Sequence, residues 1–267
     1  MLFPDRLVVV RGGGDLATGA VARLRRAGFP VIVLEIDPPL AVRRTVAVAA
    51  AVTDGEMRVE DLLARRVADV AAALALAGSG IIPVVVEADM PALPADAEIV
   101  VDARVAKRNI DTKPDDAPLV IGLGPGFTAG VDCHAVVETM RGPHLGRVLW
   151  TGSAVPNTGI PGRIGGQDEQ RELRAETSGP VAWEVEIGDH VGRDQAIGRI
   201  GDTTVRALTG GVVRGLITPG FPATPGLKLG DIDPRAARAA CFEISDKALA
   251  VGGGVLEAAL IHLNRVA

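Results

Sequence analysis

Short, wholly apolar runs that end in glycine or charge, separated by stretches of helical periodicity, set the strongest limit on this chain. A run of four or five such residues without polar alternation belongs in a sheet buried on both faces. Successive parallel strands in such a sheet need crossover connections, usually helices. Leu7–Val10 is the first run and ends in Arg11-Gly12-Gly13-Gly14. Asp15–Ala27 then carries a helical stripe (Leu16, Ala20, Leu24, Ala27) and stops at Gly28. Val31–Leu34, Ile81–Val86, Ile99–Val101 and Leu119–Ile121 are further predicted strands. Val59–Ala77 has apolar positions at Leu62, Leu63, Val67, Val70 and Leu74, which predicts a helix, and Ala129–Arg141 reads as another. Pro38–Met57 fits neither period. The expectation is an α/β fold with a Rossmann-like parallel sheet over residues 1–148.

From about Glu172 the pattern changes to short valine- and isoleucine-rich segments broken by glycine. An internal repeat appears at an offset of 32. Ala175, Gly179, Val181, Gly188, Ile197, Gly198 and Ile200 correspond to Ala207, Gly211, Val213, Gly220, Leu229, Gly230 and Ile232. One β-unit of this size cannot bury both faces, whereas two packed copies can. The pattern resembles the flattened barrel of biotinyl and lipoyl carrier domains. The expected organisation is therefore a linker over 149–171, a small all-β biotinyl/lipoyl-like barrel-sandwich over 172–235 and a C-terminal helical segment over 236–267. The hairpin joining the two copies, Gly201-Asp202-Thr203-Thr204, has no attachment lysine, so no covalent biotin or lipoate is expected. Asp246-Lys247-Ala248 looks like a lipoylation triplet, but it opens a predicted helix and is read as a helix start.

Composition narrows the function classes. With 48% hydrophobic and 23% charged residues in 267, the chain can bury a core and is neither disordered nor a disulfide-stapled miniature. A net charge of −5 and only seven aromatics (five Phe, two Trp) remove the electrostatic and stacking support for nucleic-acid binding. Cys133 and Cys241 read as free buried thiols in a reduced compartment. Val70–Val86 is uncharged but broken by Gly78, Gly80 and Pro83, and Asp5-Arg6 precede only a short apolar run. No membrane association is expected, and the localisation expected is cytoplasmic.

Three stretches are candidates for binding. Gly12-Gly13-Gly14-Asp15-Leu16-Ala17 fits G-x-G-x-x-G/A between a strand and a helix, where glycines let the backbone approach a phosphate at a helix N-terminus. Glu35 ends the next strand, where an acid can accept from a ribose hydroxyl. Asp15 would compete with a phosphate for the helix amides or act as a cap. Gly122, Gly124 and Gly126 form a second glycine loop after a strand, expected on the same sheet edge. Asp102, Arg104 and Lys107 follow another strand end, where cations favour phosphate and Asp102 binds a metal, positions a ring or pairs with Arg104. Each stretch has a plainer reading as a turn or a solvated charge run. Cys133 and His134 are adjacent on a predicted helix and cannot face one way, so neither a metal nor a thiolate–imidazole pair is expected. No metal site and no catalytic residue is assigned.

These stretches carry a wider resemblance. Val9–Gly19, Leu34-Glu35 with Pro39–Arg44, Val101–Asn109, Gly122–Phe127, Asn157–Gly162, Gly230–Arg235 and Ile244–Ala250 look like the corresponding motifs of YqeB-type accessory proteins of selenium-dependent molybdenum hydroxylases. Those proteins are related in role to the XdhC group. The resemblance implies an accessory or maturation factor with a molybdenum hydroxylase as client. Its ligand would be a small anionic molecule, a molybdopterin-type cofactor or a dinucleotide. Two alternatives follow from the residues alone: an NAD(P)-dependent oxidoreductase, and a non-catalytic scaffold in which the glycine loops are only turns.

Overall fold

A computed structural model describes residues 1–91, 97–157 and 171–266. The motif Asn157-Thr158-Gly159-Ile160-Pro161-Gly162 and most of the expected 149–171 linker lie outside the described residues, apart from Asn157 and the linker's ends.

The first lobe is built on β1 (Leu7–Arg11), β2 (Val31–Glu35), β3 (Glu56–Val59), β4 (Leu62–Val67), β5 (Ile81–Val86), β6 (Ala97–Asp102) and β7 (Leu119–Leu123), with short strands β8 (Thr128–Ala129), β9 (Ala135–Val137), β10 (Val148–Leu149) and β11 (Gly152–Ser153). Nine of these form one sheet in the order β10-β9-β7-β6-β1-β2-β5-β4-β3. The seven inner strands are parallel, and β10 and β3 pair antiparallel at the two edges. The direction in which successive strands are added reverses at β1, which lies between β2 and β6; ligand crevices form outside strand ends at such a switch.

Alternation along the strands supplies both cores. Val8, Val10, Val31 and Val33 face a layer made by α1 (Asp15–Ala27) and α4 (Asp246–Val266). Val9, Ile32, Val100 and Val120 face the opposite side, covered by Ala73 of α3 (Val70–Leu76) and by Phe127 and Cys133. α1 ends where expected, with Gly28 in the left-handed conformation donating back to Arg25 and Leu24 carbonyls.

The second lobe comprises β12 (Glu172–Arg174), β13 (Gly179–Trp183), β14 (His190–Val191), β15 (Ala196–Ile200), β16 (Thr203–Arg206), β17 (Gly211–Leu216), β18 (Pro222–Ala223) and β19 (Lys228–Asp233). The offset of 32 carries β13 onto β17, β14 onto β18 and β15 onto β19. The two sheets are β12-β19-β17-β14 and β16-β15-β13-β18, so each takes strands from both copies of the repeat. Repeat positions Val181, Ile197, Ile200, Val213, Leu229 and Ile232 share one core.

The structure corrects the expected architecture in three respects. The Rossmann-like parallel sheet gives way to a nine-stranded mixed sheet. The closed biotinyl/lipoyl-like barrel gives way to two separate four-stranded antiparallel sheets. The C-terminal helix is no appendage of the second lobe, because α4 returns to lie beside α1 on the first sheet. Two predicted helices are also overturned. The stripe over Val59–Ala77 is mostly the β3–β4 hairpin, turned at Glu60 with φ 53°, and only Val70–Leu76 is helical. Within Ala129–Arg141, Asp132 accepts from the Thr128 amide at 2.7 Å and closes a turn, and Ala135–Val137 joins the sheet. Pro38–Met57 holds 3-10 turns and the short helix α2 (Ala51–Asp54), and its stretch Val46–Val52 is buried.

Glycine explains how α4 fits. A Cβ on Gly252 would overlap the Gly19 carbonyl oxygen of α1, and one on Gly254 would overlap the Gly146 carbonyl, whereas Gly253 faces open space. Backbone contact between α1 and α4 offsets the helix propensity that glycine forfeits. Gly252→Ala is expected to destabilise by about 1–3 kcal/mol through overpacking. Gly253→Ala is expected to stabilise by up to about 1 kcal/mol. Urea unfolding of the two variants checks this, and equal effects would contradict it.

Candidate functional site

The first glycine loop is tightly determined except at one residue. Gly12, at φ +88°, donates its amide to Leu34 O at 2.7 Å, and a Cβ there would press on the Arg104 backbone. The Gly13 amide donates to Glu35 Oε2 at 2.7 Å, and Gly13 O accepts from Ala49 at 2.9 Å. Glu35 Oε1 accepts from the Ile36 amide at 2.8 Å. Burial pushes the Glu35 carboxyl above its ordinary pKa, opposed by these two amides. Gly14, in contrast, has nothing within contact distance of where a Cβ would stand and opens onto a cleft.

Asp15 does not cap the helix. Its carboxylate turns to Arg43 Nη1 at 2.8 Å, and no side chain caps the α1 N-terminus. The first-turn amides of a thirteen-residue helix therefore face the cleft with the positive end of the helix dipole behind them.

The Asp102–Lys107 stretch splits into a fixed part and a free part. Asp102 is buried and accepts from Arg104 Nη2 and from the Thr112 hydroxyl, each at 2.6 Å. Arg104 also donates to Asp111 at 2.6 Å, while buried Arg11 donates to Thr112 at 2.8 Å and Asp111 at 2.9 Å. Asp102 is thus the anchor of Arg104, the last of the readings offered for it. This network pins the loop that carries Lys107, whose exposed side chain makes no hydrogen bond or ion pair among the described residues.

The second glycine loop does not open to the cleft through its glycines. Gly122 lies under the Phe127 ring, Gly124 against the Thr139 side chain and Gly126 against the Arg108 backbone. Only Pro125 of that loop lines the cleft. Neighbouring Cys133 and His134 are structural. Burial raises the Cys133 thiol to about 11, and His134 Nδ1 accepts from the Val120 amide at 2.9 Å. Both cysteines are free and buried. Among the described residues no His, Cys, Asp or Glu cluster could hold a metal, and no helix is long and apolar enough to cross a membrane.

The cleft is about 910 Å³ and lies between the lobes. It brings together Gly12, Gly14, Asp15, Glu35, Arg104 and Lys107 of the expected residues, and leaves Gly13, Asp102, Gly122, Gly124 and Gly126 behind its wall. Its chief additions are Arg43, Arg214 and Lys247. Lys247 does sit in the first turn of α4, as the helix-start reading has it, yet that turn is delivered to the cleft mouth. Its ammonium has no hydrogen-bond or ion-pair partner among the described residues, and burial lowers its pKa. Only the return of α4 to α1 gives Lys247 this position; the glycines Gly252-Gly253-Gly254 signal a close backbone approach, but not the element they meet.

Asp102→Ala leaves Arg104 without its main acceptor in a half-buried site and is expected to cost about 3–5 kcal/mol. Lys107→Ala is expected to change stability by less than about 0.5 kcal/mol. Chemical denaturation of both variants measures the contrast; a mild Asp102→Ala effect would contradict the anchoring role.

No family model matches the chain. It is similar to the uncharacterized protein YqeB of Escherichia coli (strain K12), at 47% identity over 264 residues, which cover 97% of this chain and 48% of that protein. The chain thus spans about half the length of the curated relative it matches. A YqeB-type sequence therefore extends over nearly all of this chain. Among solved structures, a succinylglutamatedesuccinylase/aspartoacylase from Rhodobacter sphaeroides aligns over 85% of each chain, with 15% identity and a TM-score of 0.28, a likeness too loose to assign fold or activity.

Proposed function

We infer that the cleft binds a small, elongated, phosphate-bearing molecule. The observation that carries this reading is the uncapped α1 N-terminus opening at Gly14 opposite two cations, Lys107 and Lys247, that have no partner among the described residues. Helix amides and ammonium groups without a hydrogen-bonded acceptor at one corner suit a phosphate or pyrophosphate. The Arg43 guanidinium draws the Asp15 carboxylate off the helix amides and offsets its charge, while Asp15 and Glu138 stay near enough to attract Lys247. A cleft of this size matches a nucleotide or a phosphorylated pterin.

We further propose that the chain acts as an accessory factor in the maturation of a molybdenum hydroxylase, with or without selenium, and presents a molybdopterin-type or nucleotide ligand to that client. This finer role is supported by the motif resemblance, and its ligand chemistry agrees with the cleft. The chain's own residues would bind and orient the ligand: α1 amides and Lys247 at a phosphate, with Glu35 available to accept from a hydroxyl.

ADP is a convenient probe. An anion raises the Lys247 pKa on binding, so affinity is full below the free-protein pKa and falls as pH rises through it. Calorimetric titration at rising alkaline pH, where the ADP phosphates stay ionised, is expected to show this decline setting in below the range of an ordinary lysine. Lys247→Met is expected to weaken binding about tenfold and flatten the decline. Binding indifferent to Lys247 would contradict the site. For the client, loss of hydroxylase activity in cells lacking the protein should be restored by the parent chain and not by Lys247→Met.

A further inference from the structure

The second lobe contains its own control experiment. Because β13 and β17 are copies, the residue equivalent to Arg214 is Ala182, and the residue equivalent to Asp231 is Arg199. In the first copy the ladder is regular, with Val181 opposite Ile200, Ala182 opposite Arg199 and Trp183 opposite Gly198. In the second copy it slips. Val213 lies opposite Ile232, but Gly215, not Arg214, lies opposite Asp231. Arg214 is the extra residue of a β-bulge, a device that re-aims a side chain and recurs beside functional sites. The β-unit therefore folds with alanine and without a bulge at this place, and the fold does not demand Arg214.

The bulged side chain is 7% exposed and lines the cleft. It donates to Asp233 at 3.0 Å through Nη1, while Nε is buried and meets no acceptor. Across the lobe boundary Arg43 is in the same condition: Nη1 holds Asp15, and buried Nε and Nη2 meet no acceptor. The two guanidiniums are near enough to repel. Buried donors on charged groups are ordinarily satisfied, and three orphaned guanidinium nitrogens from two like-charged side chains call for an anion. Asp233 does not supply it, since it is already held by Arg235 at 2.6 Å. Asp231 is engaged by Arg171 at 3.0 Å, and it lies near enough to Arg43 and Arg214 to attract both without hydrogen-bonding to either.

We propose that Arg43 and Arg214 form a second anion seat, which takes a phosphoryl group and so ties the ligand to both lobes. The proposal rests on the reading of the cleft as a site for a phosphate-bearing ligand and adds its other anchoring point. Guanidinium forks suit a tetrahedral oxyanion, and one fork from each lobe makes the seat complete only when the lobes meet. The ligand class is accordingly a molecule with two separated phosphoryl groups, or one pyrophosphate long enough to span both poles.

Inorganic phosphate is the probe, titrated into the full chain by calorimetry. The parent chain is expected to bind two ions, and Arg214→Ala one. Arg214→Ala restores the residue of the other copy and leaves Asp233 held by Arg235, and an unchanged circular dichroism spectrum checks that it folds. Arg214→Gln is expected to lose the same ion and guards against a variant that fails to fold. Lys247→Met is expected to remove the other ion. Unchanged binding in both Arg214 variants would overturn the seat. Loss of an ion in the Arg214 variants with none lost in Lys247→Met would uphold the seat and overturn the α1 site instead.

Discussion

Backbone contact between α1 and α4 is the constraint on which the rest depends. Gly19 and Gly252 let the two helices touch without side chains between them. That contact covers one face of the nine-stranded sheet with the last element of the chain. It also decides where the start of α4 falls, and therefore that Lys247 stands at the cleft mouth. Further along α4, His262 reaches Glu98 of the inner strand β6 at 2.7 Å, where Arg6 also donates at 2.6 Å, and ties the helix to that strand. Burial opposes ionisation of Glu98, yet the bonds from His262 and Arg6 hold its carboxyl below the usual range.

Charge in the cleft is sorted by whether it is already satisfied. Arg104, Asp102, Asp111 and Arg11 neutralise one another and act as a rigid brace for the loop that follows β6. Asp15 is neutralised by Arg43. Lys107, Lys247 and the inward edges of Arg43 and Arg214 remain as donors without acceptors among the described residues. Buried salt bridges contribute little net stability, but they fix geometry. Here they fix the satisfied charges in place around a cleft that Lys107, Lys247, Arg43 and Arg214 line.

Local signals carried much of the fold. Five apolar runs became strands of the sheet, and Asp15–Ala27 with its Gly28 stop became α1, because strand burial, helix periodicity and the C-cap glycine agree there. The repeat at offset 32 maps strand onto strand, since its glycines mark turns and close approaches that both copies need. The Val59–Ala77 stripe misled because Leu62, Leu63 and Val67 fit a helical spacing, whereas burial of Leu62 and Ala64 follows a period of two in a strand paired with β5. At Ala129–Arg141 a side-chain-closed turn at Asp132 outweighed helix propensity. Of the candidate site, strand-end placement pointed to Gly12, Gly14, Asp15, Glu35, Arg104 and Lys107, which line the cleft. Gly122, Gly124 and Gly126 have the composition of a ligand loop, but their space is taken by Phe127, Thr139 and Arg108. Arg43, Arg214 and Lys247 were illegible, because a slipped ladder and a returning helix create their roles.

The most direct test of the central claim is backbone-amide NMR of the full chain during titration with inorganic pyrophosphate. The account predicts saturable shifts at the Gly14, Asp15 and Leu16 amides and at the Lys247 side chain, with the second glycine loop unmoved. Saturable shifts centred on Gly122–Gly126, or none at Gly14–Leu16, would contradict it.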